Sequence, residues 1–430
     1  MRVFVLGGHG FIGSSVVAHL TRSGFQIVGL TRSPEIATRY PTVEWRNGDL
    51  SRLTSVTDWR PLIADCNAIV NCAGALQDSP RDSLAAVHIA GPMALYRACV
   101  ELGIRRVVHV SSAGIGAVDT RFGQTKREAE AGLTSLDLDW VILRPGLVIG
   151  PNAFGGTALL RGIAGFPLCV PIPNTERTIQ IVSIYDVAET IRVALKEDTR
   201  HHAVWELVHP NRIAFSEIVL ACRAWLGFRP CPICKISLVL VRLVSLSADV
   251  AAYLGWRSPL RSTSLKQLDV GVHGDPKSWM DDTGIQPRSL QEIFMEQPAG
   301  LQERWFARTY FVKPLGLIIL SLFWIYSGLI GLGAGFDEAL RAMRATPLPD
   351  LAGAPVVIAG SMLDICLGLA VLIRRTARAA LIGMIIACSA YIVGGSLLYP
   401  ELWVDPFGAL AKALPVAFAA LAVLSLMDER

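Results

Sequence analysis

The chain has 430 residues, 52% of them hydrophobic, with a mean hydropathy of +0.44 and a formal net charge of +4. That length leaves room for two or more domains, and that hydropathy is high for a chain bathed in water throughout. The small, scattered positive balance argues against a nucleic-acid partner, and nine cysteines without regular spacing argue against a disulfide-knit secreted scaffold.

Arg2 to Leu6 (RVFVL) predicts a buried strand, with no leader expected before it. It enters Gly7-Gly8-His9-Gly10-Phe11-Ile12-Gly13, after which an apolar helical pattern runs to Leu20. Strand, glycine turn and helix together predict a dinucleotide-binding βαβ unit. Gly7 supplies the tight turn, Gly10 lets backbone approach a pyrophosphate, and Gly13 lets helix pack on strand. The helix N-terminus then offers N–H groups to the anion.

The second strand, Gln26 to Leu30, ends in Thr31-Arg32-Ser33. No acidic residue waits there for ribose hydroxyls. Arg32 can instead pair with a 2′-phosphate, which favours NADP over NAD. Further strands are expected before Asn47-Gly48-Asp49-Leu50, at Ala68 to Asn71, at Arg106 to Val110 and at Trp140 to Leu143. A single long helix is expected from Ser83 to Leu102.

The Gly-x-x-Gly-x-x-Gly spacing with Phe11-Ile12-Gly13 resembles the short-chain dehydrogenase/reductase superfamily, in its extended and atypical, epimerase-like branch. Asn71-Cys72-Ala73-Gly74, Ser111-Ser112 and Leu143-Arg144-Pro145-Gly146 with Gly150-Pro151 carry the same resemblance. It implies cofactor contacts at Gly7, Gly10, Phe11, Ile12, Gly13, Asp49 (with its neighbour Leu50), Ala73, Gly74 and Pro145. It also implies catalytic roles for Ser112, which would orient a substrate carbonyl, and Lys126, which would also bind the nicotinamide ribose. One departure stands out. The family's Tyr-x-x-x-Lys reads Phe122-Gly123-Gln124-Thr125-Lys126 here, and no tyrosine lies between residues 97 and 184. The usual proton-transfer phenol is missing, and Tyr185 is the nearest substitute. Cys72 reads as a small buried residue, and Asp186 fits a helix-capping role.

Later, Cys231-Pro232-Ile233-Cys234 has CxxC spacing without the further ligands a zinc site needs, so no metal is expected. Lys235 to Leu254 reads as a core helix or a membrane-surface helix. Arg304, Arg308 and Lys313, interleaved with Trp305, Phe306, Tyr310 and Phe311, read as an interfacial anchor. Pro314 to Phe336 then runs 23 residues without a charge, and about 20 suffice to cross a bilayer. Leu351 to Ile373, broken by Asp364, and Ala379 to Pro400 follow. A shorter run near 409–427 makes a fourth span. Asp364 is expected to face the bundle interior, either in a functional role or in polar contact with a neighbouring helix at a residue such as Ser361 or Ser389.

Leu363 to Leu369 (LDICLGL), Tyr399-Pro400, Leu402-Trp403, Asp405-Pro406-Phe407-Gly408 and Lys412-Ala413-Leu414-Pro415 resemble the DoxX-like family of four-helix membrane proteins. The expected architecture is therefore a Rossmann-type, doubly wound α/β domain over 1–310, followed by an all-α transmembrane four-helix bundle over 311–430. Arg304, Arg308, Lys313, Arg374, Arg375, Arg378 and Arg430 on one side, against Arg341, Arg344 and Lys412 on the other, favour a cytoplasmic nucleotide domain at a cell inner membrane. Together the resemblances imply a membrane-anchored NADP- or NAD-dependent oxidoreductase acting on a hydrophobic small molecule, a quinone or a lipid carbonyl. The alternative is a non-catalytic, cofactor-binding subunit of a membrane redox complex.

Overall fold

The computed structural model describes every residue except 76, 79–82, 117–118, 174–176, 257, 263–270, 345, 347–348, 405, 407 and 428–430. The expectations placed on Asp405, Phe407 and Arg430 lie outside the described residues. Two compact units are present: Met1–Asp249 with Ser258–Arg304, and Val250–Arg257 with Trp305–Arg430.

In the first unit, β1 (Arg2–Leu6) alternates its side chains between two cores. Val3 and Val5 join Val16, Val17 and Leu20 of α1 (Phe11–Arg22) on one face. Phe4 and Leu6 join Trp59, Leu95 and Leu133 on the other. A strand buried on both faces reads as a continuous apolar run, which is why RVFVL shows no alternation of polar residues. Around it lie β2 (Gln26–Thr31), β3 (Glu44–Asn47), β4 (Ala68–Asn71), β5 (Arg106–Val110), β6 (Asp139–Pro145) and a last strand, Ala203–Leu207. All pair in parallel, in the spatial order last strand, β6, β5, β4, β1, β2, β3. The order reverses between β1 and β4, where Leu6 lies opposite Asn71. In open sheets of this kind, ligands bind beyond the carboxyl ends of the strands at the switch point.

Two local expectations are corrected. The helix expected over Ser83 to Leu102 is interrupted: Ala86–Ala90 forms a π turn before the helix Gly91–Leu102. Asp186 does not cap its helix. Ser183 is the cap, its hydroxyl accepting from the Tyr185 N–H. Asp186 stands in the first turn, where its carboxylate takes the Arg288 backbone N–H at 3.0 Å and the Arg288 guanidinium.

The second unit is helical. Val312–Leu332, Asp350–Ala370, Arg374–Leu398 and Ala409–Ser425 are its four apolar helices. Three helices, Leu301–Leu332, Leu351–Ala370 and Arg374–Leu398, are long and apolar enough to cross a membrane; the fourth is shorter. Small residues bring the first two together. A methyl group added at Gly328 would meet the Ser361 carbonyl at 2.3 Å, and the Ser321 hydroxyl donates to the Gly368 carbonyl at 2.7 Å. Such close backbone approach is what helices need where lipid gives no hydrophobic drive to associate. Asp364 is buried, but its partners are not those expected. Ser327 donates to one carboxylate oxygen at 2.8 Å and Tyr391 to the other at 2.7 Å. Ser389 turns back to the Ile385 carbonyl of its own helix instead.

Candidate active site

The glycine turn at the end of β1 is built as its sequence requires. Gly7 has φ +73°, a left-handed conformation that a side chain disfavours, and a Cβ there would meet the Ala73 nitrogen at 2.8 Å. A Cβ on Gly13 would lie 2.1 Å from the Gly7 carbonyl oxygen, so only glycine admits this contact of helix and turn. Gly10 is the N-terminal cap of α1. It brings no side chain to the first turn, and no acidic residue follows there. Backbone N–H groups, the positive end of the helix dipole and room for an anion thus coincide. These features fit a dinucleotide pyrophosphate. Phe11 stacks on Phe154 with centroids 6.0 Å apart, and Ile12 packs against the core.

At the ends of β2 and β3 the structure brings two expected residues together. The exposed Arg32 guanidinium lies 3.6 Å from the Asp49 carboxylate. Asp49 also accepts from the Ser51 N–H at 3.0 Å and its hydroxyl at 2.7 Å. Partial burial works against its charge, but Ser51, Arg32 and Arg52 together hold its carboxyl below the usual range. Leu50 packs against Gly91 at the start of the helix Gly91–Leu102.

The other side of the crevice centres on Lys126. It lies in the helix Arg121–Thr134, whose N-terminal cap Thr120 accepts from the Gly123 N–H. Its ammonium is buried and donates to the Val110 carbonyl at 2.9 Å, at the end of β5. A methyl group on Gly74 would stand 3.6 Å from that nitrogen, so Ala73-Gly74 and Lys126 share one wall. Burial pulls the Lys126 pKa down to about 8, while Glu130, one turn on, acts to raise it. Glu130 is in turn gripped by Arg144 through two hydrogen bonds of 3.1 and 2.6 Å. Pro145 closes this edge, its carbonyl accepting from the Ala113 N–H at 2.9 Å. Ser112, at the end of β5, is half-buried with its hydroxyl turned to the Ala113 carbonyl at 3.3 Å. The Cys72 thiol is pushed up to about 12 by burial, which keeps it protonated.

Phe122 stands one turn before Lys126, and its ring meets the His88 imidazole edge-on, with centroids 5.6 Å apart. His88, in the π turn, escaped the sequence reading. Its Nε2 accepts from the Ala75 N–H at 3.1 Å, which leaves Nδ1 to donate to the Thr125 hydroxyl at 2.8 Å. Thr125 donates onward to the Phe122 carbonyl at 3.1 Å. Burial and the Lys126 charge drive the His88 pKa down to about 3, so the ring is neutral at physiological pH. Beneath it Asn71, Tyr96 and His109 form a buried set. Asn71 donates to Tyr96 at 2.8 Å, and Tyr96 meets His109 Nδ1 at 2.9 Å. Tyr185 belongs to a different surface, a hollow of about 600 Å³ shared with His19, Arg22 and Glu189 near the C-terminal end of α1.

Parallel sheet, switch point and glycine cradle define an NAD(P)-binding Rossmann domain. Residues 7–161 match the NAD(P)H-binding family and residues 321–421 the DoxX-like family. The chain therefore joins a Rossmann domain that matches the NAD(P)H-binding model to a helical domain that matches the DoxX-like model. It is 26% identical over 187 residues to an uncharacterised chloroplastic protein of Arabidopsis thaliana, covering 42% of this chain and 61% of that one. It is 25% identical over 229 residues to mouse NADH dehydrogenase [ubiquinone] 1 alpha subcomplex subunit 9, mitochondrial, covering 50% and 58%. The chain thus spans about three fifths of the length of these relatives. Among solved structures, the Bordetella bronchiseptica enzyme WbmG in complex with NAD superposes with a TM-score of 0.53 at 17% identity, over 69% of this chain and 92% of that one.

Proposed function

We propose that the chain is a membrane-anchored oxidoreductase that prefers NADPH and reduces a hydrophobic acceptor, a quinone or a lipid carbonyl. The nucleotide domain, residues 1–310, faces the cytoplasm of an inner membrane that residues 311–430 cross four times. The observation that carries this reading is a cradle complete for a dinucleotide beside a buried lysine, with Phe122 where a phenol would stand. Gly7, Gly10 and Gly13 receive the pyrophosphate, with Phe11 and Ile12 beside it. Arg32 receives a 2′-phosphate, and Asp49 with Leu50 borders the adenine. Ala73, Gly74, Lys126 and Pro145 hold the nicotinamide ribose. When bound, the reduced dinucleotide supplies a hydride. Ser112 orients the acceptor oxygen, and Lys126 keeps a positive charge near it. Because neither Phe122 nor neutral His88 gives a proton at neutral pH, the reading favours an acceptor protonated from solvent, as a quinone is. The exposed leucines and valines of the helix Leu238–Tyr253 and the apolar helices beyond it support a substrate drawn from lipid.

The test is NADPH oxidation by purified full-length protein in lipid nanodiscs, with quinones and with simple ketones. Turnover on quinones with little on ketones is expected. A second reading, a cofactor-binding subunit without turnover, is favoured by the likeness to a respiratory-chain subunit. Tight NADPH binding with no acceptor reduced would select it, and no binding at all would sink both.

A further inference from the structure

Three cysteines far apart in sequence meet in the first unit, away from the nucleotide crevice. Cys169 immediately precedes the strand Val170–Pro173, and the CxxC pair Cys231 and Cys234 brackets the start of the strand Ile233–Ile236. These strands pair in parallel with Val170 opposite Ile233 and Pro171 opposite Cys234. The Val170 N–H donates to the Pro232 carbonyl at 2.9 Å, which carries the pairing back to Cys169. Cys169 therefore sits beside Pro232, between the two cysteines of the CxxC pair. Residues two apart along a strand share a face, so Cys169, level with Pro232, lies on the face that Cys234 occupies.

Access separates this trio from most other thiols. Cys234 is exposed and Cys169 and Cys231 are half-exposed, whereas Cys66, Cys99, Cys222 and Cys388 are buried. Cys366 is exposed only on an apolar helix of the second unit. The three thiols are not placed to share a metal ion. The sequence alone left the CxxC pair without a partner. The strand register supplies one from 62 residues upstream of Cys231.

The geometry points to a reversible disulfide between Cys169 and Cys234, formed by exchange with a low-molecular-weight disulfide such as oxidised glutathione. The exposed Cys234 thiolate attacks one sulfur of the small disulfide and displaces a glutathione thiolate. The Cys169 thiolate then attacks Cys234 Sγ and displaces the second glutathione. One disulfide breaks, one forms, and the two thiol protons pass to solvent. The adjoining Cys234 thiol raises the Cys169 pKa, so Cys169 is the slower nucleophile and the natural second partner. Once closed, the bridge pins the two short strands together, and with them the chain entering the helix Leu238–Tyr253.

The experiment uses full-length protein in detergent, equilibrated across glutathione buffers, quenched with N-ethylmaleimide, digested and read by mass spectrometry. A peptide linking Cys169 to Cys234 should grow with oxidised glutathione and vanish with reduced glutathione. Cys169→Ser should abolish it and leave Cys234 trapped as its glutathione adduct. Free, alkylated Cys169 and Cys234 across the whole series would overturn the proposal. So would a Cys231–Cys234 or Cys169–Cys231 bridge in the unmutated protein.

Discussion

Lys126 ties cofactor affinity to pH in a way that can be worked from its surroundings. Its pKa of about 8 lies below the ordinary lysine value of 10.5 because burial penalises the ammonium. If the charged amine donates to the ribose hydroxyls, that charge-assisted bond is worth about 1.5–3 kcal/mol, or about 10- to 150-fold in affinity. Lys126→Met should weaken NADPH binding by that factor at pH 7. In the unmutated protein the same loss should appear with alkali. Affinity should hold from pH 6.5 to 7.5, then fall by up to about tenfold per pH unit above 8. Folding stability moves the other way. A lysine whose folded pKa is depressed costs stability below that pKa, and the cost fades as pH rises from about 8 towards 10.5. Unfolding driven by Lys126 therefore cannot mimic the loss of affinity. Calorimetric titration with NADPH at four pH values, for both proteins, measures this. Affinity in the unmutated protein that stays level to pH 10 would refute the role given to the charge.

Arg32→Ala should erase most of a preference for NADPH over NADH, a change of about 10- to 150-fold for a lost phosphate contact of about 1.5–3 kcal/mol; equal affinities before mutation would dispose of the idea. Phe122→Tyr should raise reduction of simple ketones, by as much as about 10²-fold if Lys126 can activate the new phenol, and steady-state rates on one ketone series decide it. Asp364→Asn keeps an acceptor for Ser327 or Tyr391 but removes the charge, so it should leave membrane insertion intact while lowering acceptor turnover; parental rates would make Asp364 purely structural. A reporter fused after Arg430 should be active in the cytoplasm, and activity only outside would reverse the topology.

The parallel sheet was legible because strands buried on both faces cannot alternate polar with apolar residues, and the runs at Arg2, Ala68 and Arg106 do not. The cradle was legible because Gly7 and Gly13 occupy backbone positions that no other side chain fits. Apolar length announced the membrane-type helices just as directly. What stayed hidden depends on tertiary register. Nothing local marks the π turn that carries His88, and only the pairing of Ile233 with Val170 brings Cys169 to the CxxC pair. The partners of Asp364 were misjudged for the same reason. Helical spacing says which residues share a face, but glycine contacts such as Gly328 on Ser361 set which neighbouring face arrives.

The wall around Phe122 bears on what the site can do. In a catalytic pair of phenol and lysine, the positive charge of the lysine makes the phenol more acidic. Here the lysine remains, but the neighbour is a ring with no proton to give. The imidazole that meets that ring is fixed in one tautomer by Ala75 and Thr125, and its pKa of about 3 keeps it neutral. Protonating it would break the Ala75 contact and place a second cation beside Lys126. Among the described residues of this wall, the side-chain acid that titrates nearest pH 7 is Lys126 itself, and its ammonium is already committed to the Val110 carbonyl. An acceptor that must be protonated as hydride arrives would be reduced slowly there. One that can hold negative charge until water supplies the proton would not, and a quinone delocalises such charge over its ring. That asymmetry, rather than the membrane helices alone, is the reason to assay quinones first.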